Sequence, residues 1–270
     1  MNLKSFLFIF SVLVSGSLLA QNGRPSVAGA RGVGLGGVGV AFEDNHSVFS
    51  NQAGMAWVED RSFTLIGEQR FLLSDIRTIS AGGIVPMKAG SFGLTVQYLG
   101  TKAYNEQRVS VGYGRKLMDN FSIGGAFVYL NTNIPDYGSK GNFTFEMALM
   151  ARFTPKLNLG FHVFNPLKVT VIEGEVLPTI FNLGLKYTAS NRVRIFGEVE
   201  KDIDFKVRTH WGVEYELVEA FNLRFGVATE PVELSFGLGY QLKNGWLIDV
   251  ASYYHEVLGF SPTVGVVFVY

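Results

Sequence analysis

From Ser62 onward the chain alternates between large apolar residues and small or polar ones. In an extended backbone Phe92, Leu94, Val96 and Tyr98 point one way and Ser91, Gly93, Thr95 and Gln97 the other, the two-residue period of a β-strand. Phe121, Ile123, Phe127 and Tyr129 alternate in the same way with Ser122, Gly124 and Ala126. Phe143, Phe145, Met147, Leu149 and Phe153 alternate with Thr144, Glu146 and Arg152, and Trp211, Val213 and Tyr215 with His210, Gly212 and Glu214. About fourteen such segments follow one another, near 62–68, 77–85, 91–99, 107–115, 121–131, 143–153, 157–165, 179–188, 192–200, 207–216, 221–229, 232–241, 245–255 and 261–270.

The second face decides what kind of sheet this is. A soluble sandwich covers its outer face with Lys, Glu and Asp, whereas here that face is mostly Gly, Ser, Ala, Thr and Asn, which suits an enclosed lumen. The other face carries most of the 23 Phe and 11 Tyr, a poor surface in water and a good one in lipid with aromatic girdles. Segments of roughly nine to eleven residues match a tilted strand crossing a bilayer, and backbone groups in lipid must pair within the protein, so the sheet must close. The expected fold is therefore all-β, a transmembrane antiparallel barrel of about fourteen strands. The aromatic Tyr270, closing a strand of Val264, Val266 and Phe268, looks like the terminal signal by which bacterial outer-membrane barrels are assembled.

Connections after even strands are short (86–90, 154–156, 189–191, 242–244), while those after odd strands include the longest, 131–142 and 165–179. Short turns in such barrels face the periplasm, which predicts both termini on that side. The outward connections carry Phe71, Leu72, Leu73, Val176, Leu177, Val257, Leu258 and Phe260. These are expected to extend strands into the outer leaflet, to dock another outer-membrane or secreted protein, or to admit a hydrophobic ligand.

Ahead of the barrel, Ala28–Trp57 follows neither period. Its seven glycines between Gly29 and Gly54 leave little side chain for a core of its own, so it is expected to pack inside the barrel as a plug. Residues 1–20 read as a secretory signal, with Lys4, an apolar run from Phe6 to Val14 and a small-residue end at Ala20. The predicted organisation is a signal peptide at 1–20, a Gly-rich plug at 21–60 and a barrel at 61–270, located in a bacterial outer membrane with its lipid as surroundings. Equal numbers of acidic and basic residues, 23 each, argue against nucleic acid as a partner, and the absence of Cys removes disulfides and thiolate chemistry.

Gly32, Gly34 and Gly36–Gly37 mimic a dinucleotide-binding loop, but no strand leads in and no helix follows. The four histidines have no paired ligand spacing, and neither a cofactor nor a metal is expected. Arg194, Glu198, Arg208, His210, Glu214, Arg224, Glu233 and Asp249 fall on the inferred lumen face. Mixed signs on neighbouring strands are read as a salt-bridge lattice that braces the wall or seats the plug, and no converging catalytic cluster points to an enzyme.

Gly29-Ala30-Arg31, Gly36-Gly37, Asp44 and Asn51-Gln52-Ala53-Gly54, in this order, resemble the N-terminal signature of the PorV/PorQ family and of the wider FadL-like outer-membrane proteins. Gln52 stands where that signature has Pro. Asn165-Pro166, Leu177-Pro178, Gly212-Val213-Glu214-Tyr215 and Leu223-Arg224-Phe225-Gly226 extend the resemblance along the chain. It implies a fourteen-stranded barrel with an N-terminal segment inside. It also implies one of two roles: a non-enzymatic subunit, adaptor or shuttle of an envelope machine related to type IX secretion, the reading favoured here, or passive transport of a hydrophobic small molecule.

Overall fold

A computed structural model describes residues 29–135, 138–172 and 175–270. The expected signal peptide and the first residues of the Gly-rich segment lie outside the described residues. Fourteen antiparallel strands close into a barrel. They are β1 (Ser62–Gln69), β2 (Arg77–Met87), β3 (Gly90–Gly100), β4 (Asn105–Met118), β5 (Phe121–Ile134), β6 (Gly138–Thr154) and β7 (Leu157–Phe164), followed by β10 (Ile180–Thr188), β11 (Val193–Asp202), β12 (Arg208–Val218), β13 (Phe221–Ala228), β14 (Glu233–Gln241), β15 (Trp246–His255) and β16 (Gly259–Val269). The two intervening short strands, β8 (Thr170–Ile172) and β9 (Glu175–Val176), pair only with each other.

Each barrel strand pairs with its neighbour in sequence, β7 with β10 across the small hairpin, and β1 closes on β16 in the register Ser62↔Val269 to Glu68↔Thr263. Closure leaves no edge whose N–H and C=O groups need another partner. Alternation sets the two faces. Phe92, Leu94 and Val96 of β3, Phe127 and Tyr129 of β5, and Trp211, Val213 and Tyr215 of β12 are exposed on the outside, Phe127 by 80%. Inside, Ser91 and Thr95, Ser110, Ser122 and Thr144 are buried. Among the described residues no helix is long and apolar enough to cross a membrane.

Two connections differ from expectation. The stretch 131–142 is not an open loop: β5 and β6 run on through Asn131↔Gly141, Thr132↔Lys140, Asn133↔Ser139 and Ile134↔Gly138. Beyond the apolar belt an extended pair no longer needs an apolar outer face, so pairing continues after the alternation has stopped. The 165–179 connection carries the β8–β9 hairpin and turns over the rim. Leu177, expected at an exposed tip, is buried with Val128, Leu130, Phe164 and Ile180, and Val169 packs against them. Val176 beside it remains exposed.

Residues 29–57 occupy the space enclosed by the strands. They form a one-turn helix, α1 (Gly29–Gly34), and two 3-10 turns, Asn45–Phe49 and Gly54–Trp57. Their apolar side chains Val33, Leu35, Val38, Val40, Phe42, Val48 and Met55 are all buried.

Candidate functional site

The inward glycines of the wall are where the 29–57 segment is seated. A side chain on Gly226 of β13 would strike the backbone of Leu35 and Gly36, and one on Gly160 of β7 would strike the carbonyl of Val40. Gly36 itself, at φ +80°, lies against Trp211 O and the Val227 backbone, a positive-φ close approach that suits glycine. Gly29 and Gly37 also have positive φ, and Gly54 lies so close to Phe42 O that a Cβ would not fit. Ala30 is buried with Val33 and Ala251, and Ala53 with Trp57, Ala148 and Met150. Asn51 donates to Val40 O (2.6 Å) and Leu149 O (3.2 Å) and accepts from Ala53 N (3.0 Å). Trp57 Nε1 donates to Ser122 Oγ (3.0 Å), whose hydroxyl donates to Ala53 O (2.8 Å).

A network of charges ties the segment to the wall. Arg31 donates Nε and Nη2 to the two oxygens of Glu214, each at 2.9 Å, and pairs through Nη1 with Asp44. Glu214 also receives Arg224 Nε (2.8 Å) and Arg194 Nη1 (3.1 Å). Arg224 continues to Asp249 (2.5 Å), and His46 Nε2 lies 3.5 Å from the other Asp249 oxygen. Six of the residues singled out on the lumen face, namely Arg194, Glu198, His210, Glu214, Arg224 and Asp249, are grouped around or just beyond the segment. Glu198 accepts the backbone N–H groups of Gly39 (2.8 Å) and Val40 (3.0 Å), and His210 donates Nδ1–H to Gly36 O (2.6 Å). Arg208 and Glu233 form a separate pair at 2.6 Å. Among the described residues no group of three or more His, Asp or Glu side chains could hold a metal ion.

Pattern reading passed over a second network on the opposite wall. Glu146 binds Arg108, accepts from Gln52 Nε2 (2.5 Å) and faces His162 Nε2 at 3.4 Å. Glu43 is held by Lys186 and by Arg152 Nε (2.8 Å). Arg108, Glu146 and His162 all occupy inward parity positions, so the alternation itself was a sufficient signal. The polar residue at 52 has a specific use here, since proline could make no side-chain bond to Glu146.

Above the segment, toward the end of the barrel with the longer connections, lies a cavity of about 280 Å³. Val33, Val40, Phe49, Ile180, Phe71 and Tyr253 supply its apolar lining, and Glu68, Arg70, His162, Asn182, Glu200 and Arg208 are among its polar groups. Phe71 is half-buried at its mouth with φ +53°, its ring edge-on to Tyr253 and His255 and its N–H bonded to Ser261 Oγ (2.8 Å). Arg70 pairs with Glu68 at 3.0 Å. Burial alone would lower the pKa of its guanidinium, but Glu68 more than offsets this and the group stays raised. Leu72, Leu73, Val257, Leu258 and Phe260 are exposed. Of the apolar outer residues expected to form an entrance, only Phe71 lines this cavity.

No family profile and no curated protein matches the chain. Solved structures do. The toluene transporter TodX of Pseudomonas putida superposes with a TM-score of 0.69 at 11% identity, over 92% of this chain and 99% of that one. The Ralstonia pickettii toluene transporter TbuX gives 0.66 at 12% identity, over 92% and 98%. A Pseudomonas aeruginosa FadL homologue gives 0.63 at 13% identity, over 93% and 98%. At these identities the likeness is one of architecture: this chain has a closed fourteen-stranded antiparallel barrel like those of these three structures.

Proposed function

We propose that the protein is a non-enzymatic outer-membrane conduit for a small hydrophobic molecule, with residues 29–57 as its plug. The observation that carries this reading is the cavity between the segment and Phe71. It is partly apolar, it opens toward the longer connections, and it is bounded below by the wedged backbone of Gly36–Val40. Pockets for small ligands are mostly concave, apolar and furnished with a few placed polar groups. The FadL-like architecture of proteins described as toluene transporters supports the same reading, by analogy of fold. Outer-membrane placement accords with the apolar belt on the outside of the strands. With the short turns in the periplasm, both ends of the barrel chain lie there and the cavity opens outward.

The favoured expectation from sequence, a subunit related to PorV/PorQ in type IX secretion, receives no support from these likenesses, and transport takes its place. Uptake of radiolabelled toluene by a Gram-negative host expressing the protein tests the proposal. Faster uptake than in the same host with an empty vector is expected. Unchanged uptake with a folded barrel in the outer membrane, together with a stoichiometric co-purifying protein, would return the balance to the subunit reading.

A further inference from the structure

The polar groups of the cavity form an ordered row. His162 on β7 stands directly opposite Asn182 on β10, Asn182 opposite Glu200 on β11, and Glu200 opposite Arg208 on β12. All lie on inward positions and all line the cavity. Asn182 Oδ1 and His162 Nδ1 are buried with no hydrogen-bond partner among the described residues, and His162 is 3% exposed. A buried polar atom left without a bond is costly, so a molecule in the cavity able to bond Asn182 Oδ1 and His162 Nδ1 would favour a small rotation of these side chains toward it.

The charges narrow the class of molecule. Four glutamates line the cavity, Glu68, Glu198, Glu200 and Glu233, against two arginines. Both arginines are engaged, Arg70 with Glu68 and Arg208 with Glu233 and Thr229 O. Among the described lining residues a carboxylate would have to displace Glu68 or Glu233 to reach a guanidinium. A pure hydrocarbon would leave Asn182 Oδ1 and His162 Nδ1 unpaired. The volume of about 280 Å³ lies just below that of ordinary ligand pockets, which run roughly 300–1,000 Å³, so the molecule must be compact.

Building on the transport reading, we propose that the cavity selects a compact neutral molecule bearing a hydroxyl on an apolar body, an alkylphenol or similar alcohol. Its O–H donates to Asn182 Oδ1 and its oxygen meets His162, while the apolar body lies against Val40, Phe49 and Ile180.

The test is calorimetric titration of the full chain in lipid nanodiscs, corrected for partitioning into empty discs, with 4-ethylphenol, ethylbenzene, 4-ethylbenzoate and 4-ethylbenzylamine. Roughly three- to tenfold tighter binding of 4-ethylphenol than of ethylbenzene is expected, the worth of one net hydrogen bond, with the benzoate weakest. Asn182→Leu, checked for its β-sheet spectrum, should bring the phenol down to the level of the hydrocarbon. Ethylbenzene binding as tightly as the phenol would overturn the inference and leave the transport reading standing, and so would tightest binding of the benzoate or the amine. No saturable binding of any of the four would overturn both. The ligand series on the unaltered chain decides the matter even if the variant does not fold.

Discussion

Arg31 and Glu214, 183 residues apart in the chain, meet in a two-pronged pair with both N–O distances at 2.9 Å. One lies in the segment inside the barrel and the other on β12, so this contact fastens interior to wall. Glu214 serves Arg31, Arg194 and Arg224 together. Glu214→Ala therefore takes one carboxylate from three guanidinium groups, two of them largely buried, and leaves them only Asp44, Asp249 and Glu216, at a cost of about 3–5 kcal/mol, typical when one partner of a buried pair is removed. The loss is expected mainly in the segment, as faster hydrogen exchange across 29–44, while the strands keep their protection. Equal loss of protection in segment and strands would show that the network holds the barrel itself.

Gly226 and Gly36 touch backbone to backbone. Gly226→Val adds atoms on a wall strand that is paired on both sides and cannot retreat, so the segment must move. An increase in single-channel conductance in planar bilayers is expected, with strand content unchanged. Conductance equal to that of the unaltered protein would mean that the segment does not occlude the passage at this level.

The 165–179 connection is pinned by Asn165, which donates to Leu177 O (2.9 Å) and accepts from Val169 N (3.1 Å) and Thr144 Oγ1 (2.8 Å). Leu177→Ala empties part of the apolar cluster over Phe164 and is expected to cost about 2–5 kcal/mol. Its signature is faster hydrogen exchange of the amides at 165–169 and 176–179. Unaltered exchange there would show that the inward fold of this connection does not depend on Leu177.

On the outside, Phe127 near the middle of β5 is 80% exposed. Phe127→Arg should lower folding stability in phospholipid vesicles by roughly 2–4 kcal/mol, the cost of Arg on a lipid-facing midplane position, and Phe127→Leu should have little effect. A urea midpoint that falls equally for both would place Phe127 away from lipid.

The strands were legible because their signal is local. Side chains alternate on any extended backbone, and a face that must meet lipid admits only apolar residues, so Phe92, Leu94 and Val96 declare their strand without reference to anything distant. The hairpin beyond Asn131 was not legible, because outside the apolar belt that constraint lapses and Lys140 or Ser139 suits a strand as well as a loop. Leu177 shows a different gap. Composition marks it as apolar, but whether it faces outward or the lumen depends on how its connection turns over the rim, and Asn165 sets that through bonds to residues up to 21 positions away.

The sequence by itself determined the alternation, the strand count, the two chemically different faces and the Gly-rich character of residues 29–54, since each follows from neighbours along the chain. Only the tertiary structure decided which charges pair, that Gly226 seats Gly36, and that His162, Asn182, Glu200 and Arg208 align in one row around a cavity. Those relationships exist between strands brought together by closure, and inter-strand register is set by the pairing of backbones rather than by any one strand's own pattern.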